Sequence, residues 1–247
     1  MSSRTSTVAL AVAVLFGACT PDDGEPAPRT DDTTADLLSS AAEEASLGPG
    51  RPVAPPTQEI DIAVLGHDRG SLVSPVRVVE FSDYGCGYCR KFHEETWPVL
   101  VANFVDAGKV EWKFLPFVSG MFKNSTAATT AAECVLEQDE GFFEAMHDRI
   151  WHLQGEWKNS ADPAPLLRGW AGEVGADMTR FDSCISEDRR GNRVRAATAL
   201  AQQLGVRGTP TFFVVGYPPL QGALPTETFQ QVLDMVYAEA TKPGGDR

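Results

Sequence analysis

The chain is 247 residues long, enough for one domain with tails or with a sizeable insertion. Its 43% hydrophobic and 22% charged residues are those of a globular protein and exclude a wholly disordered or membrane-embedded chain. The net charge is −13; residues 1–60 hold nine acids against three arginines, leaving −7 for the rest, and this acidity argues against a nucleic-acid partner, which needs a basic patch.

The first element is an export signal. Arg4 is the positive flank, Val8 to Phe16 form an apolar run, and Gly17 and Ala18 are small residues set before Cys19. The run falls short of the about 20 residues that a membrane-spanning helix needs, so it reads as a secretory signal. Phe16-Gly17-Ala18-Cys19 resembles the lipobox of bacterial lipoproteins, with Phe16 in place of the usual Leu or Val. That resemblance implies an acylated Cys19 tethering the protein to a membrane surface; an ordinary signal peptide with an unrelated Cys is the alternative. Residues 20–58 are acidic and rich in Pro, Thr and Ala, with too few large apolar residues to offset ordering entropy, and read as a flexible linker.

Folded sequence is expected from residue 59 to 245. Ile60 to Leu65 reads as an edge strand, His67 to Gly70 as a turn, and Val76 to Phe81 as a buried central strand. Cys86 to Val105 follows, with Phe92, Trp97, Leu100, Val101 and Phe104 near a 3.6-residue period, so it forms an amphipathic helix that Pro98 should kink. Val110 to Phe117 supplies the next strand, parallel to the first if the crossover is right-handed. From residue 124 to 204 helical blocks alternate with short breaks (about 125–138, 140–153, 164–174, 178–185 and 188–204). Strand character returns at Thr211 to Val215, and a helix from Thr226 to Ala240 closes the chain. The pattern is an α/β domain built from the two ends, with an all-helical insertion between them.

The chemistry concentrates at Cys86-Gly87-Tyr88-Cys89. Cys86 falls where a strand ends and a helix begins, so its sulfur should face free backbone N–H groups and the positive helix end, which contributes up to about 2 kcal/mol to the thiolate. Cys89 lies one turn on and points back toward Cys86, placed to attack a mixed disulfide held there. A zinc half-site with His147 and His152 has the wrong spacing, and a purely structural bridge would close too short a loop to stabilise much. With Cys19 set aside, four cysteines remain, and Cys134 with Cys184 is the only second pair that leaves Cys86 and Cys89 together. Two buried free thiols, or a second redox pair, are the alternatives. Glu80 sits in an apolar strand, where a carboxylate needs either a role or a solvent-facing edge position. Thr209-Pro210 precedes the last strand, where the X–Pro bond can be cis or an ordinary trans bond.

The segments Val79 to Cys89 and Gly205 to Phe213, with the helical insertion, resemble the DsbA-like thioredoxin-fold family over about residues 60–240. The resemblance implies a thioredoxin-like fold from residues 59–118 and 206–245, with the insertion at 119–205. It implies Cys86 as nucleophile, Cys89 as resolving thiol, Glu80 as proton acceptor for Cys89, and Thr209-Pro210 as the cis-proline loop that pairs with substrate. Cys134–Cys184 corresponds to a structural disulfide between insertion helices. No cofactor or metal is expected, since the sulfurs carry the electrons. The partners implied are unfolded exported proteins with cysteines and a redox partner that resets the pair. Oxidation of substrates is the first reading, with reductase, isomerase or a non-catalytic binding module as alternatives. Gly87-Tyr88 lacks the imidazole found between the cysteines of the strong oxidant, so an intermediate potential is expected. His93 is read as a surface histidine, His147 and His152 with Trp151 and Trp157 as packing or decoration of the insertion. Phe117, Val118, Met121 and Phe122 border a substrate groove or belong to the core.

Overall fold

The computed structural model describes residues 60–242. The signal, Cys19 and the linker lie outside the described residues. Among the described residues, no helix is long and apolar enough to cross a membrane.

The first strand is not where alternation put it. Asp61 accepts a hydrogen bond from the Ala63 N–H and caps a 3₁₀ turn over Ile62–Val64, so Ile60 to Leu65 does not extend. Gly66 follows at φ +59°, where a Cβ would stand 2.0 Å from the Phe114 carbonyl oxygen. That turn delivers β1, His67–Arg69, the segment expected to be a turn, antiparallel to β3, Val110–Pro116, with His67 opposite Phe114. A short, charged strand is suited to a sheet edge.

β2, Val76–Ser82, lies at the centre of a five-stranded sheet of order β1-β3-β2-β4-β5. It runs parallel to β3 and antiparallel to β4, Thr211–Val214. β5, Leu220–Gln221, is too short for a sequence signal and pairs antiparallel with β4. Both faces of β2 are covered: Val76 and Val78 pack with Phe92, Trp112 and Phe229, while Val79 and Phe81 pack against Ala197 and Ala201. Apolar residues on both faces fit a run without clean alternation.

The helix after β2 is segmented rather than simply kinked. α1, Gly87–Lys91, and α2, Trp97–Leu100, alternate with π-helical stretches at Phe92–Thr96 and Val101–Val105. Pro98 has no N–H and crowds the carbonyl four residues back, and the turn before it widens so that the Trp97 N–H bonds to the Phe92 carbonyl. Phe92 and His93, which open this stretch, are both buried.

The insertion comprises α3 (Ser125–Leu136), α4 (Glu140–His152), α5 (Gln154–Lys158), α6 (Ala164–Glu173), α7 (Met178–Ser186) and α8 (Gly191–Gln203). Ala128, Ala131 and Ala132 on α3 let α4, α6 and α7 approach closely around Trp151, Trp157 and Phe181. Cys134 and Cys184 are disulfide-bonded between α3 and α7, with Cα atoms 5.8 Å apart. α9, Thr226–Ala240, returns to cover the sheet through Phe229, Leu233 and Val236.

Candidate active site

Cys86 ends the loop after β2 and is the N-cap of α1, so its Sγ accepts from the Cys89 N–H at 3.4 Å. The loop is pinned from three directions. The Cys86 N–H donates to the Asp83 carbonyl at 2.9 Å. Asp83, itself buried, accepts from the Gly85 N–H at 2.8 Å and from Ser125 on α3. Gln154 on α5 donates to the carbonyls of Tyr84 at 2.6 Å and Cys86 at 3.0 Å, and Lys158 donates to that of Gly85. Gly85 has no room for a side chain, because a Cβ would lie 2.3 Å from the Phe122 Cβ.

Across from Cys86 stands the Thr209-Pro210 turn, with the Thr209–Pro210 bond cis and the Thr209 carbonyl oxygen 3.3 Å from the Cys86 sulfur. The two thiols are poised differently. The Cys86 thiol is lowered from its ordinary 9.0 to about 6 by the hydrogen bond from the Cys89 side chain, against the opposing effect of burial, and further by Thr209 and the N–H groups of Cys89 and Tyr88. Burial, then the neighbouring Cys86, pushes the Cys89 thiol well above its usual range. One sulfur is thus ready to act as nucleophile or leaving group near neutral pH, and the other holds its proton.

Glu80 does not face solvent. It is fully buried in the central strand, and its Oε1 accepts from Ser82 and meets His93 Nε2 at 2.9 Å, while Oε2 accepts from Trp112 Nε1 at 2.9 Å. Three hydrogen-bond partners satisfy the buried side chain in an otherwise costly position. Among the described residues none of its hydrogen bonds goes to Cys89.

His93 is therefore not the surface histidine that its sequence position suggested. It is buried, and its ring stacks on Trp151 with centroids 4.5 Å apart. His147 is also buried: Nε2 accepts from Trp151 Nε1 at 3.0 Å, so in the neutral ring Nδ1 carries the proton toward the Tyr84 hydroxyl 2.7 Å away. Burial, reinforced by His93, drives its pKa well below the usual range and keeps it neutral. With both nitrogens engaged, His147 has no lone pair left for a metal. His152 is exposed. Among the described residues no group of three or more His, Cys, Asp or Glu side chains is placed to hold a metal ion.

Cys86 is only 4% exposed, and it opens onto a groove of about 870 Å³ bordered by Tyr88, Phe117, Met121, Phe122 and Val206. Val118 instead turns to α8, its N–H bonded to the Thr198 hydroxyl. Phe117 serves both groove and core. Gln154 is the site residue that sequence alone missed, since α5 is too short to register as a helix; His93, one turn after Cys89, is a candidate neighbour of the site in the sequence but reads there as a surface residue.

A cysteine pair at the first turn of a helix, facing a cis-proline before an antiparallel strand of a mixed sheet, defines a thioredoxin-type protein. A family model described as Thioredoxin matches residues 64–235, and the chain belongs to that family. It is 35% identical over 150 residues to Na(+)/H(+) antiporter NhaA 1 of Salinispora arenicola, a match that covers 61% of this chain and 22% of the antiporter. It is 28% identical over 158 residues to disulfide bond formation protein D of Bacillus subtilis, covering 61% of this chain and 66% of that one. The chain thus spans under a quarter of the antiporter and about two thirds of the disulfide bond formation protein. The crystal structure of Chlamydia trachomatis DsbA superposes with a TM-score of 0.64 at 20% identity, covering 76% of this chain and 100% of that one, and shares the fold.

Proposed function

We propose that the protein is a thiol–disulfide oxidoreductase that passes a Cys86–Cys89 disulfide to cysteines of exported proteins. The observation that carries this reading is the contrast at the pair: a Cys86 thiol lowered to about 6 beside the Thr209 carbonyl, and a buried Cys89 thiol pushed up. A substrate thiolate attacks the Cys86 sulfur, the bond to Cys89 breaks, and Cys89 leaves as a thiolate that takes up a proton. A second substrate thiolate then attacks its partner sulfur in the mixed disulfide, forms the substrate's disulfide, and expels Cys86 as a thiolate. The low Cys86 pKa makes it a good leaving group and stabilises the reduced protein, which drives the reaction toward oxidation of the substrate.

In this scheme Cys86 is the attacked sulfur and the nucleophile of the reverse reaction, and Cys89 resolves. Glu80 is the buried proton acceptor for Cys89, working through an intervening group because His93, Ser82 and Trp112 take its own hydrogen bonds. Thr209 and Pro210 present the backbone against which a substrate segment lies. Cys134–Cys184 is structural. The signal-like segment before Cys19 supports a place outside the cytoplasm, with a lipid on Cys19 holding the protein at a membrane surface. A separate redox partner reoxidises the pair.

Direction is tested by equilibrating the protein with glutathione buffers of known ratio and measuring the fraction oxidised. A potential above about −230 mV is expected, and one well below that value would overturn the oxidase assignment in favour of a reductase.

A further inference from the structure

The groove beside Cys86 has a charge opposite to that of the chain that forms it. Its walls are apolar, with Tyr88 and Met121 standing 70% and 75% exposed at the rim over Phe117, Phe122 and Val206. Among the described residues no carboxylate lines it, although the chain carries a net charge of −13; its charged lining residues are the cations Lys91 and Arg207. They stand on the two segments that flank Cys86. Lys91 lies one turn beyond Gly87 and Tyr88 on α1, and Arg207 lies in the turn that leads to Thr209 and Pro210.

Among the described residues neither cation is neutralised by a close partner. Arg207 is exposed and forms no ion pair among the described residues. The contact of Lys91 with Glu95 is long, at 3.9 Å, between two exposed side chains, which contributes little. A third cation, Lys158, sits with its Nζ 5.1 Å from the centre of the Phe122 ring.

We propose that this groove selects extended, cysteine-bearing segments of other proteins that carry apolar residues next to the cysteine and acidic residues beyond them. This rests on the exchange reaction proposed above and names its substrate class. An apolar neighbour gains by covering Tyr88, Met121 and Phe122. An acidic side chain further along meets Lys91 on one side or Arg207 on the other, whereas a lysine there meets like charge. Charges at an exposed rim act chiefly on the rate of encounter and are screened by salt. One well-placed pair in water corresponds to a rate change of about five-fold.

The test uses the oxidised full chain and three synthetic peptides, each with two cysteines and the same apolar neighbours, flanked by Glu, Gln or Lys. Each peptide closes its own disulfide by giving two electrons and two protons to Cys86 and Cys89. At low salt the Glu peptide is expected to react about five-fold faster than the Gln peptide, and the Lys peptide correspondingly slower. The spread should narrow as salt is raised, invert in Lys91→Glu with Arg207→Glu, and shrink in Arg207→Ala. An altered Cys86 pKa would move all three peptides together, so the ratios isolate selection. Equal rates for the three peptides, or a faster Lys peptide, overturn the proposal and leave the exchange reaction standing. Oxidation of no peptide at all overturns the exchange reaction itself.

Discussion

Replacing both Cys134 and Cys184 by alanine is expected to lower the stability of the folded domain by about 4 kcal/mol while leaving thiol exchange at Cys86 intact. The bridge closes 50 residues of chain, and the entropy that such a loop removes from the unfolded ensemble sets the figure. Against a typical total of about 5–15 kcal/mol, that loss is large. Both sulfurs are completely buried where α3 meets α7, with Ala131, Trp170 and Phe181 in the same core, so no partner thiol reaches them without unfolding. Denaturant unfolding of the double variant beside the native chain, with exchange rates measured on the same samples, checks both halves. Unchanged stability with lost exchange would make the bridge a second redox pair and end its structural assignment.

The second large effect is on rate. Cys86→Ser is expected to reduce exchange with a reduced, unfolded protein by on the order of 10⁴-fold, the scale on which a lost nucleophile is felt. In the native chain the rate of attack by reduced Cys86 on an added disulfide should rise with pH through about 6 and level off above it. The same depressed pKa couples to folding. The stabilisation from the Cys86 thiolate is fully present above the unfolded value of 9.0, and it is lost as pH falls through about 6, so the reduced form gains stability between those limits. A Cys86→Ser variant that retained native rates would remove Cys86 from the chemistry.

Much of the fold was legible because its signals are local. The apolar run at β2, the period of the helix that follows, the caps and glycines of the insertion, and the long amphipathic α9 each declare themselves within one window. The misreadings lie where tertiary contacts override alternation. Ile60 to Leu65 alternates like a strand, yet Asp61 and Gly66 coil it, and the charged His67–Arg69 takes the edge because β3 offers it a partner. At the site, Cys86 with Cys89 and Thr209 with Pro210 form two short local signatures, and the structure brings them together. Glu80 was ambiguous until its side chain was seen to be buried, with Ser82, His93 and Trp112 around it. His93 had its place one turn after Cys89 as a signal, but its burial goes with a π-helical stretch that periodicity does not show; Gln154 had none, since it lies on a five-residue helix placed by the insertion's packing.

In the proposed exchange, another protein's sulfur joins the chain at Cys86 and is released by Cys89. Expressing the full chain with Cys89→Ala, capturing its disulfide-linked adducts under acid quench, and mapping the linked cysteine by mass spectrometry tests it most directly. Adducts with cysteine-containing exported proteins are expected, all through Cys86 and all released by reductant. Adducts through Cys134 or Cys184, or none where the native chain oxidises its substrate, would contradict it.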